Sequence, residues 1–192
     1  MGRRRQFDED TVLSSVMHAF RRGGYAGVSM RELEGAASLS AGSLYHAYGG
    51  KQGLFEAAFE HYNAEVLQWR IQHFAPEGSG TDGLRELFTS LLHEPDGTRA
   101  GCLITNSAVE FGPQAPPQVG AAFAVLEDAF AERLRTSVGA SWSEVDVQLW
   151  ATRLLALYQG VLVMVRGGHD LTVVERMIVS VFDDLSRRES TR

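Results

Sequence analysis

The sequence predicts an all-α protein of about nine helices. Three observations carry this. Apolar residues recur at helical spacing from Val12 to Leu185, strand-type alternation appears nowhere, and each apolar run is bounded by glycine, proline or a short capping residue. The chain has 192 residues, 44% apolar and 22% charged, ample for a sizeable core.

The helices follow in order. Val12, Leu13, Val16, Met17 and Phe20 form the first stripe; Asp8 or Asp10 can cap its start, and Gly23-Gly24 end it. A short second helix opens at Ser29, whose pairing with Glu32 three residues on is a capping box, and turns Met30, Leu33, Ala36 and Ala37 inward. Ser38-Leu39-Ser40 reads as a tight turn, with Ser40 capping a third helix that holds Ser43, Leu44, Tyr45 and Tyr48. Gly49-Gly50 break it, and Lys51 opens a long fourth helix with Leu54, Phe55, Ala58, Phe59, Tyr62, Val66 and Trp69 on one face.

After the loop 75–80, Thr81 or Asp82 caps a helix carrying Leu84, Leu87, Phe88, Leu91 and Leu92. The loop 94–98 leads to a short helix from Cys102 to Phe111, stopped by Gly112-Pro113. Pro116-Pro117 precede a helix with Phe123, Leu126, Phe130 and Leu134, ended by Val138-Gly139-Ala140. Ser141 or Ser143 caps a long helix from about Glu144 to Arg166, closed by Gly167-Gly168. Asp170 or Thr172 begins the last, with Val173, Val174, Met177, Ile178, Val181, Phe182 and Leu185, fraying from Arg187.

Composition narrows the function classes. A net charge of −6 excludes a uniformly basic coat. The charge is split: residues 1–51 carry seven Arg or Lys against five Asp or Glu, the remainder eleven against nineteen, so a polyanion would meet the head alone. The single cysteine, Cys102, allows no intrachain disulfide and suits a reducing cytoplasm. The basic cluster Arg3-Arg4-Arg5 has no apolar stretch behind it, so it is not read as a secretory signal; it is a tail or a minor-groove arm. The most apolar stretch, Leu154 to Val165, is interrupted by Tyr158, Gln159 and Gly160, and no membrane span is expected.

The segment from Ser29 to Tyr48 is the most informative. Two short capped helices joined by a tight turn make a helix-turn-helix, which offers the start of its second helix to a DNA major groove. Here that start is Ser40, Ala41, Gly42 and Ser43, small enough for close backbone approach, with helix-end N–H groups that favour phosphate. Tyr45 and His46 follow, and Lys51 stands where it can clamp a further phosphate. No nucleophile–base pair or carboxylate cluster points to catalysis, and no cofactor is expected. His61 and Glu65, at i and i+4, have no companion ligands and read as a solvated pair instead of a metal site.

Phe20-Arg21-Arg22-Gly23-Gly24-Tyr25-Ala26-Gly27-Val28-Ser29-Met30-Arg31-Glu32-Leu33, followed by residues 39–55 with Leu44-Tyr45-His46-Ala47-Tyr48 and Lys51, resembles the N-terminal domain of TetR-family transcriptional regulators. The resemblance covers about 50 residues. It implies an N-terminal DNA-binding domain over 1–52 and a C-terminal effector-binding and dimerisation domain over 53–192. It implies base or phosphate contacts from Arg31, recognition-helix contacts from Ala41, Gly42, Ser43, Tyr45 and His46, and phosphate binding by Lys51. Ala47 stands where His is common, Ser38 where the turn Gly is usual, Glu34 where a small residue is usual and is expected to point outward, and Tyr48 where Phe is usual and is expected in the core.

The helices 144–166 and 173–185 carry too much apolar surface for one stripe each, and the resemblance implies that they pair with their twins as a four-helix bundle. It also implies a small-molecule cavity among Phe88, Leu92, Cys102, Asn106, Phe111, Phe123, Trp150 and Tyr158. Gly101-Cys102-Leu103-Ile104-Thr105-Asn106 resembles a subgroup in which the cysteine of some members reacts with electrophiles. The expectation is a cytoplasmic, homodimeric, ligand-responsive repressor of a palindromic operator on double-stranded DNA, released by a small, mostly apolar effector or by modification of Cys102. The alternatives are a helical small-molecule-binding protein or a Cys-dependent enzyme without DNA binding.

Overall fold

The computed structural model describes residues 8–93, 99–138 and 142–190. Expectations for Arg3 to Arg5, the loop 94–98, Gly139-Ala140 and the Ser141 cap lie outside those residues. The described chain is helical: α1 (Glu9–Gly27), α2 (Met30–Ala37), α3 (Ala41–Tyr48), α4 (Lys51–Tyr62), a π-helical stretch (Asn63–Gln68), α5 (Trp69–Phe74), α6 (Gly80–Ser90), α7 (Leu103–Phe111), a short 3-10 turn (Gly112–Gln114), α8 (Pro117–Val138), α9 (Glu144–Arg166) and α10 (Leu171–Ser190). The π stretch joins α4 to α5 without a gap, so the expected fourth helix is present in three parts.

Two compact units form, and each has its own core. The first holds residues 1–67 and 102–119. Val16, Phe20, Leu33, Leu44, Leu54 and Phe59 are wholly buried in it. Phe55 is its hub: its ring lies 5.1 Å from Phe20, 5.2 Å from Tyr25 and 5.7 Å from Phe111, at edge or tilted angles that suit ring quadrupoles. Helical geometry in α1 breaks where two glycines predict a stop, since Gly24 sits at φ 74°, ψ 170°, a conformation open essentially to glycine alone.

The second unit holds residues 68–101 and 120–192. Phe88, Phe130, Tyr158 and Phe182 form its aromatic centre, with Phe88 5.4 Å from Tyr158 and 5.2 Å from Phe182. Leu84, Leu87, Leu126, Leu134, Leu154 and Ile178 surround it. Two arginines are buried with it. Arg70 donates to the carbonyl and hydroxyl of Ser90, both at 3.0 Å, and Arg133 donates through Nε to the Ala75 carbonyl at 2.9 Å. Those bonds offset the cost of taking guanidinium groups out of water. By length and composition α9 could cross a membrane. It carries Asp146, Arg153 and Arg166, however, and buries Val147, Ala151, Leu154, Tyr158, Val161, Leu162 and Val165 in this unit.

Four local expectations are corrected. Helix α6 starts at Gly80 after Ser79, not at a Thr81 or Asp82 cap. The backbone N–H of Thr81 donates to the Ser137 hydroxyl at 2.8 Å, a partner 56 residues away. Leu91 and Leu92 are buried but lie beyond the helix end. Trp69 is exposed: the wider π turn before it shifts the helical face, so that Arg70 and Ile71 turn inward in its place. The last helix does not fray at Arg187 but continues to Ser190, with Arg187 paired to Asp184 at 2.7 Å.

Candidate nucleic-acid interface

The helix-turn-helix is built by two serine caps. Ser29 and Glu32 form the reciprocal box: Ser29 N–H donates to Glu32 Oε2 at 2.7 Å, and Glu32 N–H donates to Ser29 Oγ at 3.3 Å. The Glu32 carboxyl is held below its ordinary range, first by the Ser29 backbone N–H, then by the Ser29 hydroxyl, and to a smaller extent by the charge of Lys51. Ser40 caps α3 by accepting from the Ser43 N–H at 3.3 Å. Between the two helices Ser38 adopts the left-handed conformation, φ 52° and ψ 35°, that its place in the turn demands. Leu33 and Leu44 anchor the pair, both wholly buried.

This packing fixes what faces outward. Arg31 is exposed at the start of α2. On α3, Ser40, Gly42, Ser43, Tyr45 and His46 are exposed and Ala41 is half-buried. Tyr45 is 55% exposed, too much for a packing residue, and its ring rests over Gly50, where an added Cβ would lie 3.2 Å from Cε1. Tyr48, expected in the core with its hydroxyl at the edge, is half-buried, as are Ala47 and Glu34, the last expected to point outward. Lys51, the first residue of α4, holds its ammonium 4.8 Å from the centre of the Tyr25 ring. The result is a ridge of hydroxyl, aromatic, imidazole and cationic groups, with only small residues, Ser40 to Ser43, at the helix N-terminus itself, where backbone can approach a groove.

The residues expected around an effector divide between the two units. In the second unit Phe88 and Tyr158 meet in the aromatic centre, Leu92 is buried, and Phe123 is half-buried. Trp150 lies 5.9 Å from Trp142, with the Arg153 guanidinium 5.0 Å and the Arg188 guanidinium 5.8 Å from its ring. In the first unit Cys102 is buried and its sulfur accepts from the Tyr62 hydroxyl at 3.2 Å. Asn106 donates to the Arg21 carbonyl at 3.1 Å, and the Phe111 ring lies 5.3 Å from the Tyr25 ring at a tilt of 47°. The sequence reading missed Tyr62 and Glu110, both of which the first unit uses for buried or bridging hydrogen bonds. His61 and Glu65 line an open groove with Asp10, Thr11, Ser14 and Ser15, and among the described residues no group of three His, Cys, Asp or Glu could hold a metal.

A capped helix-turn-helix presenting such a ridge, among described elements that are all helical, is the arrangement of a DNA-binding transcriptional regulator. The comparisons agree. Residues 12–58 match the model for bacterial regulatory proteins of the tetR family. The chain is 36% identical over 141 residues to the uncharacterized HTH-type transcriptional regulator YezE of Bacillus subtilis (strain 168), covering 68% of this chain and 70% of that one. It is 30% identical over 115 residues to the HTH-type transcriptional repressor ComR of Escherichia coli (strain K12), covering 58% and 55%. Among solved structures, a cysteine mutant of the TetR-family regulator CifR complexed with 26-bp operator DNA matches with TM-score 0.79 and 26% identity over 95% of this chain and 98% of that one. The reduced form of E. coli NemR shares the fold at TM-score 0.75 and 19% identity, over 90% and 93%. The chain belongs to the TetR family of bacterial transcriptional regulators.

Proposed function

We propose that the protein is a cytoplasmic homodimeric repressor that binds a palindromic operator and releases it when a small, mostly apolar effector binds or Cys102 is modified. The observation that carries the DNA half of this reading is the outward ridge of α3, with Tyr45 at its middle. Arg31, Ser40, Ala41, Gly42, Ser43, Tyr45, His46 and Lys51 are the contact residues, within a DNA-binding domain at 1–52. Two such heads about 34–36 Å apart enter successive major grooves.

The body at 53–192 supplies dimerisation and effector binding. Support for the dimer comes from α9 and α10, which bury one face each and leave Val145 77%, Leu149 48%, Val163 53% and Val173 49% exposed. Apolar residues repeated along two helices are costly to leave in water, and a second copy is the family's way of covering them. Phe88, Leu92, Cys102, Asn106, Phe111, Phe123, Trp150 and Tyr158 are the effector candidates. Of these, Phe88 and Tyr158 are fully packed, so an effector reaching them must open the aromatic centre. The π stretch, where the first unit gives way to the second at Leu67–Gln68, suits a hinge in the long helix that starts at Lys51. An effector shifts the head spacing only by its differential affinity for the two states, typically ~1–3 kcal/mol.

The test is fluorescence anisotropy with labelled fragments of the DNA upstream of its own gene. Binding is expected at two heads per site, with affinity falling steeply as salt rises. A response flat in salt, or no preference for any native fragment over scrambled duplex, overturns the reading.

A further inference from the structure

Helical geometry in α1 fails at Gly24, and the last turn before α2 therefore starts afresh at Tyr25. A turn that starts at Tyr25 opens with backbone N–H groups of the kind that a helix start leaves without an intrahelical acceptor. Glu110, on the last turn of α7, supplies both acceptors. Its Oε2 accepts from Tyr25 N–H at 2.8 Å and its Oε1 from Ala26 N–H at 2.7 Å, across 85 and 84 residues of chain. This is an N-cap delivered from another helix, in the charge-assisted form that suits a helix N-terminus.

A second bond from the same face of α7 completes the grip. Asn106, one turn earlier, donates to the Arg21 carbonyl at 3.1 Å, on the other side of the Gly24 break. Phe111 adds its ring against Tyr25, whose own ring carries the Lys51 ammonium. Two residues after the capped turn, Ser29 opens α2. The elbow between α1 and the helix-turn-helix is thus held from both sides of the Gly24 break by one short helix. Glycine is required at position 24 by its backbone, φ 74° and ψ 170°, and a Cβ there would also lie 2.9 Å from Glu110 Oε2, so that the carboxylate would have to shift.

The geometry points to Glu110, seconded by Asn106, as a positioning residue for operator recognition: it fixes the departure of α2 and α3 through the backbone of residues 25 and 26. The inference rests on the assignment of α3 as the DNA-reading helix. Its sign separates it from simple electrostatics. Removing a carboxylate from a DNA-binding unit lessens repulsion and tightens binding to every duplex, whereas releasing the elbow weakens binding to the operator.

The experiment compares wild type, Glu110→Gln and Glu110→Ala. Glutamine keeps one acceptor and places an NH2 against the other donor, so it falls between the other two. Anisotropy is measured with an upstream fragment and with scrambled duplex, and amide hydrogen exchange is followed in α2 and α3 without DNA. The expected result for Glu110→Ala is about fivefold or greater loss of fragment affinity, no loss for scrambled duplex, and faster exchange in α2 and α3. Fragment affinity equal to or tighter than wild type, or equal loss on both duplexes, overturns the inference. Should wild type bind no fragment, the assignment of α3 fails instead, and the latch is judged by exchange alone: unchanged protection in Glu110→Ala overturns it.

Discussion

Replacing Lys51 by methionine removes a charge and keeps most of the stem, and its effect can be worked through. If each Lys51 neutralises one phosphate, a dimer loses two such contacts. Each contact contributes about 0.9 to the slope of log affinity against log salt, so the slope falls in magnitude by about 1.8. Over a fourfold change of salt, from about 50 to about 200 mM, the deficit of Lys51→Met relative to wild type therefore shrinks by about twelvefold. The fold itself barely suffers. The substitution forfeits the cation–π contact with Tyr25, 4.8 Å away, worth about 0.5–1 kcal/mol at a site partly open to water. For a chain of this length that is a Tm change of no more than about 4 °C, far too small to unfold the head during an assay. Anisotropy titrations at four or five salt concentrations, paired with a thermal melt, give both numbers. Parallel salt lines for the two proteins would refute the phosphate role and leave Lys51 as a lid on Tyr25.

Four further outcomes are expected. Ser29→Ala removes the α2 cap and costs about 1 kcal/mol, read as a loss of about 2–4 °C in Tm, while Glu32→Gln flattens the acid limb of stability. The sign follows from the depressed Glu32 carboxyl: its contribution is complete above the ordinary carboxylate range and is lost as pH falls through the lower folded value, so urea melts from neutral to acid pH separate wild type from Glu32→Gln. Phe88→Ala empties the aromatic centre between Phe130, Tyr158 and Phe182 and lowers unfolding free energy by about 3–5 kcal/mol; a smaller loss in denaturant titration means that the site collapses. Leu149→Glu with Val163→Glu places carboxylates on the exposed face of α9, and sedimentation equilibrium should show monomers; an unchanged dimer puts the interface elsewhere.

What the sequence made legible was local. The box of Ser29 with Glu32, the Ser40 cap, the tight turn at Ser38-Leu39-Ser40 and the stop at Gly23-Gly24 each involve residues within three or four positions, where side-chain chemistry and backbone geometry constrain one another directly. The outward face of α3 followed, since burying Leu33 and Leu44 leaves no other orientation for Tyr45. Periodicity also placed Phe88 on one apolar face with Leu84, Leu87, Leu91 and Leu92. It could not name their neighbours, because a helical stripe specifies a face and not the partner it meets. The π stretch was hidden for a similar reason: Asn63 to Gln68 is a composition an α-helix accepts equally well, and its register shift shows only in the exposure of Trp69 and the burial of Arg70. Arg70 and Arg133 were unreadable as core residues because their compensation comes from backbone carbonyls at Ser90 and Ala75, 20 and 58 residues away.

The same distinction explains why the α7 contact escaped notice. Glu110 is an exposed acidic residue near the end of a short helix, a pattern shared by ordinary solvated carboxylates. Its partners are backbone N–H groups, which every residue but proline possesses, so Tyr25 and Ala26 carry no side-chain mark of being capped. The only trace is Gly24, and glycine is equally the mark of a plain helix stop. At that position a positive φ, which already selects glycine, coincides with a carboxylate oxygen 2.9 Å from where a Cβ would stand. Substituting Gly24 therefore cannot separate them, whereas substituting Glu110 removes the carboxylate and leaves the backbone break in place.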